Sequence, residues 1–277
     1  MFAFSEMFDI RPVFAQINRE LRILLESIPE SNWLNPSIAE GLSVKDILAH
    51  LLDGSIRRVS LMRDKFHDFY YRDFRPAEHG SLSEYLFYLN DSWRNAFRRV
   101  SPAILREMIV TYDQAFLEAM NDSNLEGTAV FPVSWMGHTT SPNWADFARE
   151  YTEKWYHQQQ IRMSLSLPSI ETEQFLRPVY DTFMLAVPQH LRGTVGSSVE
   201  IIIEGPGGGF WRFGKTTDHR ESLSPGADCD ARILFRDVAA WRFFTNRKYK
   251  ESQMQNVQVE GDASLCEGIL RMFTMVV

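Results

Sequence analysis

Residues Gly41–Asp64 read GLSVKDILAHLLDGSIRRVSLMRD, and their apolar positions recur with the period of an α-helix. Val44, Leu48, Leu51, Ser55, Val59 and Met62 share one stripe of the helical wheel. Ser43, with Asp46 three residues on, has the spacing of a capping box, in which each side chain satisfies a backbone N–H of the first turn. The helix is therefore expected to open at Ser43 and to run towards Arg63. His50 lies off the edge of the stripe, beside Ile47 and Gly54. A glycine inside a helix costs about 1 kcal/mol against alanine, and its missing side chain leaves room beside the His50 ring. Taken alone, His50 reads first as a partly buried histidine bonded to a carbonyl, ahead of any role as a ligand.

The same grammar extends to about residue 165. A first helix is expected from Pro12 to Ile28, striped by Phe14, Ile17, Leu21, Leu24 and Leu25. Ser81 and Glu84 cap a third, ending before Pro102, after a loop rich in Tyr, Phe and Arg. A shorter helical stretch follows from Ile104 to Met120. Ser141-Pro142, with Ser as N-cap and Pro at the first helical position, opens the fourth long helix, which stops near Leu165 before Pro168. Four principal helices joined by loops of unequal length define a bundle.

After Pro168 the pattern changes. One more helix is expected from Glu171 to about His190. Strands follow over Ser198–Glu204, Phe210–Phe213, Ala231–Phe235 and Val257–Glu260, with a turn at Gly205-Pro-Gly-Gly-Gly209. Asp237 caps a helix through Phe244, and Asp262 caps the last one. The fold class is α plus α+β: a bundle over 1–170, then a smaller α+β domain over 171–277.

Composition excludes several functions. The 277 residues carry a net charge of −7, so neither nucleic acid nor an anionic membrane is an expected partner. Basic pairs such as Arg57-Arg58 and Arg98-Arg99 are isolated and read as solvated faces. Cys229 and Cys266 form no C-x-x-C pair, which fits a reducing compartment. The N-terminus lacks the basic region of a secretion signal, and no apolar run approaches the ~20 residues needed to span a bilayer. A cytoplasmic protein is expected. Gly209-Phe-Trp-Arg-Phe-Gly-Lys-Thr216 matches the pattern G-x-x-x-x-G-K-[ST], but its variable positions read as a strand and no helical stripe follows. Phosphate binding there is not expected.

The chemistry concentrates in the fourth long helix. Glu153-Lys-Trp-Tyr-His157 places a carboxylate and an imidazole one turn apart, a spacing by which one helix offers a metal two ligands. Such a pair is also common on solvated helix faces. Trp144, Phe147, Tyr151 and Trp155 mark the apolar face, with Glu153 and His157 roughly opposite, next to Glu150 and Ile161. The pair can act only if another helix or the C-terminal module covers it.

Gly41–Asp64 resembles the opening of the DinB-like bundle of mycothiol-dependent maleylpyruvate isomerases, where S/T-V-x-D-x-x-A-H-L precedes an Arg-Arg turn and Arg-Asp. Glu153-Lys-Trp-Tyr-His157-Gln-Gln-Gln-Ile161-Arg162 is similar to the last bundle helix of that family, E-x-W-x-H-x-x-x-I-R. Ala240-Trp-Arg-Phe-Phe-Thr-Asn-Arg247 and Val259-Glu-Gly-Asp262 resemble the sterol-carrier-like module that follows. The resemblance implies a DinB-like four-helix bundle followed by a sterol-carrier-like domain. It implies a zinc or nickel site with His50, Glu153 and His157 as ligands. Three protein ligands leave one position open, as in catalytic zinc sites. It further implies a low-molecular-weight thiol such as mycothiol, bacillithiol or glutathione as cosubstrate, activated as a metal-bound thiolate. Arg247 is the position expected to hold a carboxylate of substrate or thiol. The chain departs from the pattern at Leu42, where many relatives have tryptophan, and at Glu153, where DinB-like bundles more commonly have a third histidine.

The expected activity is that of a divalent-metal-dependent, thiol-using isomerase or transferase acting on a small electrophile, as monomer or homodimer. The alternatives are a non-catalytic metal-containing protein holding an apolar ligand in its C-terminal domain, and a metal-dependent hydrolase.

Overall fold

The computed structural model describes residues 8–66, 81–133, 140–191, 193–215, 220–222, 228–236 and 238–274. The loop expected before the third helix, the Asp237 cap and Thr216 lie outside the described residues. The chain divides into two compact units, one of 11–130 and 153–170, the other of 1–10, 131–152 and 171–277.

The first unit is helical. Its helices are α1 (Arg11–Ser27), α2 (Val44–Arg58), α3 (Leu82–Phe97), α4 (Pro102–Asn121) and the C-terminal part of α5 (Asn143–Ser164). The five residues expected to stripe the first helix are its buried face. The capping boxes at Ser43/Asp46 and Ser81/Glu84 both form. Helix α2 passes into a π-helical turn, Val59–Arg63.

Two expectations about helix starts are corrected. The stretch expected as a short helix from Ile104 is a full member of the bundle, Pro102–Asn121, with Ser101 as N-cap and Pro102 in the first turn. The sequence predicts a second Ser-Pro helix start at Ser141-Pro142. There the helix opens at Asn143, and the Ser141 hydroxyl accepts the Val133 N–H at 3.0 Å.

The core of this unit gathers Leu21, Leu24, Trp33, Val44, Leu48, Leu52, Leu105, Ile109 and Ile161. Through it runs a buried polar network. Lys154 Nζ lies 2.7 Å from Asp113 Oδ1 and donates to Asn18 Oδ1 at 2.9 Å, and the Ser55 hydroxyl donates to Asp113 Oδ1 at 2.7 Å. Lys154 and Asp113 are both buried. The network ties α1, α2, α4 and α5 together at one level.

In the second unit, α6 (Glu173–Met184) and the short α7 (Val187–His190) replace the single helix expected over Glu171–His190. Pro188 sits in the first turn of α7, where its missing N–H is tolerated. Five strands, β1 (Ser198–Ile203), β2 (Gly209–Lys215), β3 (Arg220–Ser222), β4 (Ala231–Phe235) and β5 (Val257–Gly261), form one sheet in the order β3-β2-β1-β4-β5. Among the described residues only the β1–β4 pair is parallel. The residues of the rejected phosphate-loop pattern from Gly209 to Lys215 are strand β2. In the turn before it, Gly207 has φ +70° and a Cβ there would meet the Arg177 backbone nitrogen at 2.5 Å, so glycine is required.

Helices α8 (Ala240–Thr245), α9 (Arg247–Gln253) and α10 (Ala263–Arg271) complete the unit, and the Asp262 side chain caps α10 by accepting the Ser264 N–H at 3.0 Å. Strand β3 and helix α9 were not anticipated. The class is the expected one: a helical part and an α+β part. Among the described residues no helix is long and apolar enough to cross a membrane.

Lys250 of α9 is buried beneath aromatic rings, its Nζ 3.9 Å from the Phe273 ring centroid and 4.8 Å from that of Phe243, and it donates to the Met272 carbonyl. Burial lowers its pKa to about 8.

Two outcomes are expected. Lys154→Met leaves Asp113 as a buried, uncompensated charge and should cost roughly 3–5 kcal/mol, measured by urea unfolding. For Lys250 the unfolded chain retains its proton up to about pH 10.5 while the native state releases it near 8. Between these values the unfolded state binds more protons, so raising the pH stabilises the fold. Wild type should gain up to about 3 kcal/mol over Lys250→Met across this window; parallel curves for the two proteins would refute the assignment.

Candidate metal centre

Helix α2 is held in place immediately before His50. Trp93 Nε1 of α3 donates to the Ala49 carbonyl at 2.8 Å. At the start of α2, Lys45 Nζ donates to the Arg98 carbonyl at 3.0 Å, using an acceptor at the C-terminal end of α3. The capping box and these two bonds fix both the rotation and the height of the helix.

Helix α5 is more completely enclosed. Gln158 Nε2 donates to the Ile17 carbonyl at 3.0 Å, Trp155 Nε1 to the Ile170 carbonyl at 3.2 Å, and Arg162 Nη1 to the Pro168 carbonyl at 3.0 Å. Gln159 receives the Ile170 N–H at 3.1 Å and donates to Ser169 Oγ at 2.9 Å. With these faces committed, the face bearing Glu153, His157 and Gln160 is the one left to meet α2.

His50, Glu153 and His157 converge there. One ligand atom from each lies within 4.8 Å of the others. The His50 and His157 rings are 4.9 Å apart between centroids and nearly perpendicular, at 80°. Glu153 Oε2 lies 3.3 Å from His157 Nε2. The sequence alone required a second surface to cover the Glu153/His157 pair, and α2 is that surface.

The donor set suits a divalent cation. His157 Nδ1 lies 2.7 Å from Gln160 Oε1, a contact that suits the Nδ1–H tautomer of the ring. In that tautomer Nε2 presents its lone pair on the side of Glu153 Oε2, so a nitrogen and a carboxylate oxygen, both metal-ligand atom types, face each other. His50 is surrounded by protein although part of its surface is accessible, and burial, reinforced by the nearby His157, lowers its pKa to about 3. It is therefore a neutral imidazole at physiological pH, the form that binds metal. Ligands of a tetrahedral zinc ion with bonds near 2.0–2.2 Å stand roughly 3.4 Å apart. The three candidate ligand atoms here lie within 4.8 Å of one another, a little wider than that spacing.

Arg247 opens α9, one residue after its N-cap Asn246. Its Nε pairs with Glu251 at 2.9 Å, and the side chain is 82% exposed. Gln160 was not among the residues singled out from the sequence. Its signal was its spacing: positions 153, 157 and 160 share one helix face.

The sequence matches no protein-family model and no curated protein. Comparison of the fold is informative. The crystal structure of a mutant of the mycothiol-dependent maleylpyruvate isomerase superposes with a TM-score of 0.50, at 12% identity, covering 84% of this chain and 86% of that one. The chain thus has the fold of that enzyme. A second structure of the mycothiol-dependent maleylpyruvate isomerase gives a TM-score of 0.49 at 13% identity over the same 84% of the chain. The UbiJ-SCP2 Ubiquinone synthesis protein matches 30% of the chain with a TM-score of 0.23, too low to carry an argument.

The lowered pKa of His50 has a consequence for the metal-free protein. Below pH 6.5 the unfolded chain protonates this residue while the native state does not until about pH 3. Stability from His50 is complete above about 6.5 and declines as the pH falls towards 3. Chemical denaturation of the chelator-treated protein should show this decline, and His50→Gln should flatten it.

Proposed function

We propose that this protein is a divalent-metal-dependent enzyme, an isomerase or transferase, that uses a low-molecular-weight thiol to act on a small electrophile. The observation that carries the reading is the convergence of His50, Glu153 and His157 within one helical unit of a maleylpyruvate-isomerase fold. Zinc or nickel would be held by these three residues. A metal bound there would act as a Lewis acid, favouring the thiolate over a thiol that is only a few per cent ionised at neutral pH.

The chain's own residues do the rest. His50 offers an uncharged nitrogen. Glu153 contributes the negative charge that offsets part of the cation's, and helix α5 fixes its height relative to His157. Buried partners on every other face of α5 hold the pair still, as a preorganised site requires. In this reading the division at 170/171 separates a metal-binding bundle from a sterol-carrier-like domain. Arg247, in the second, is the candidate clamp for a substrate or thiol carboxylate, which would compete with Glu251 for the guanidinium.

A non-catalytic metal protein with an apolar ligand and a metal-dependent hydrolase are the alternatives, separated by one set of assays. Protein purified without chelator should contain close to one divalent ion per chain, and combined alanine substitution of His50, Glu153 and His157 should abolish it without unfolding the bundle. Turnover of a small electrophile should need both metal and added thiol, and should survive Cys229→Ser with Cys266→Ser, since both thiols are free and burial raises that of Cys266 to about 11. Metal-free protein would overturn the proposal. Turnover with metal and water alone would point to hydrolysis.

A further inference from the structure

Gln160 lies one turn beyond His157 on the ligand-bearing face of α5, and both side chains are buried. Its Oε1 is 2.7 Å from His157 Nδ1, while its own backbone carbonyl accepts the Ser164 hydroxyl at 2.7 Å, which in turn receives the Ile38 N–H at 2.9 Å. The far side of His157 therefore faces a fixed acceptor, itself on a stretch of helix braced by the segment before α2. A neutral imidazole has one ring proton and two nitrogens to place it on. Whichever nitrogen donates to Gln160 is unavailable to a metal, and the other is presented with its lone pair.

We propose that Gln160 is the positioning residue of the site: by accepting the His157 Nδ1–H it fixes the tautomer and ring orientation that direct Nε2 towards Glu153 and His50. The role rests on the metal-binding reading above for its purpose, but not for its geometry. An amide differs from the carboxylate that often occupies such a position. It orients the ring without adding a negative charge, so the only carboxylate among these residues is Glu153. Gln160 touches no reacting atom, and its contribution is the direction of a lone pair.

Uniformly 15N-labelled, metal-free full-length protein provides the first test. Long-range proton–nitrogen correlation should show His157 protonated on Nδ1 in wild type. Gln160→Met, of similar length and without an acceptor, should shift His157 towards the Nε2–H form, and Gln160→Glu should restore Nδ1–H. The second test is zinc affinity by competition with a chromophoric chelator. Gln160→Met should bind about 10–100-fold more weakly, with its circular dichroism unchanged, and Gln160→Glu should recover the affinity. An Nε2–H tautomer in the wild-type spectrum overturns the proposal even if the methionine variant does not fold. So does Gln160→Met with wild-type tautomer or wild-type zinc affinity. If wild type binds no zinc, the metal reading fails, and the tautomer measurement alone decides the role of Gln160.

Discussion

Helix α5 has almost no solvent-facing side in its second half, yet it carries Glu153, Lys154, His157, Gln158, Gln159, Gln160 and Arg162. All but Glu153 are buried; a buried polar group without a partner costs of order 1–3 kcal/mol, so six such side chains are tolerable only if their surroundings are built to receive them. Much of the helical unit is built in that way. Lys154 calls for Asp113, and Asp113 for Ser55. Gln158 takes a carbonyl from α1, Gln159 closes the segment at 169–170, and Arg162 reaches Glu20 at 3.1 Å. Each bond admits one rotation of the helix about its axis. Together they leave Glu153 and His157 no orientation except towards α2.

That constraint also explains why the site sits where it does. An apolar bundle core can slide or repack among near-equivalent arrangements, and loses uniqueness before it loses stability. A metal site of the kind proposed needs the donor atoms of its three residues, from two helices, held within about half an ångström of a working geometry. The buried Lys154–Asp113 pair, next in sequence to Glu153, is costly to desolvate and contributes little net stability for that reason. What it adds is register: a slip of one residue along α5 would strand both charges. Trp93, bonded to the Ala49 carbonyl, does the corresponding work on α2.

Much of the helical architecture was legible because its signals are local. The stripe of α1, the capping boxes at Ser43 and Ser81, and the Asp262 cap of the last helix depend on residues three or four apart. The misread start of α5 shows where local reasoning ends. Ser101-Pro102 and Ser141-Pro142 are chemically the same signal, but the Ser141 hydroxyl accepts the N–H of Val133, eight residues earlier, and no property of the dipeptide announces that. Strand β3 is three residues long, too short to carry a periodicity. Helix α9 hides its apolar contact in Lys250, whose stem and ammonium lie among phenylalanines while its sequence neighbours, Tyr249 and Glu251, read as surface.

The candidate ligands divide along the same line. Glu153 and His157 are one turn apart in a single helix, so their sharing a face follows from helical geometry and was determined by the sequence itself. That His50 meets His157 edge-on at 4.9 Å was decided only by the tertiary structure, because the two residues are separated by more than a hundred positions, helices α3 and α4 among them. Nor could the sequence decide that α5 would be buried on its polar side. Helical wheels rank faces by hydrophobicity, and a face made of glutamines, a lysine and an arginine is assigned to water unless the partners that satisfy it, here a carbonyl of Ile17, a carboxylate of Asp113 and a carbonyl of Pro168, are brought to it by the fold.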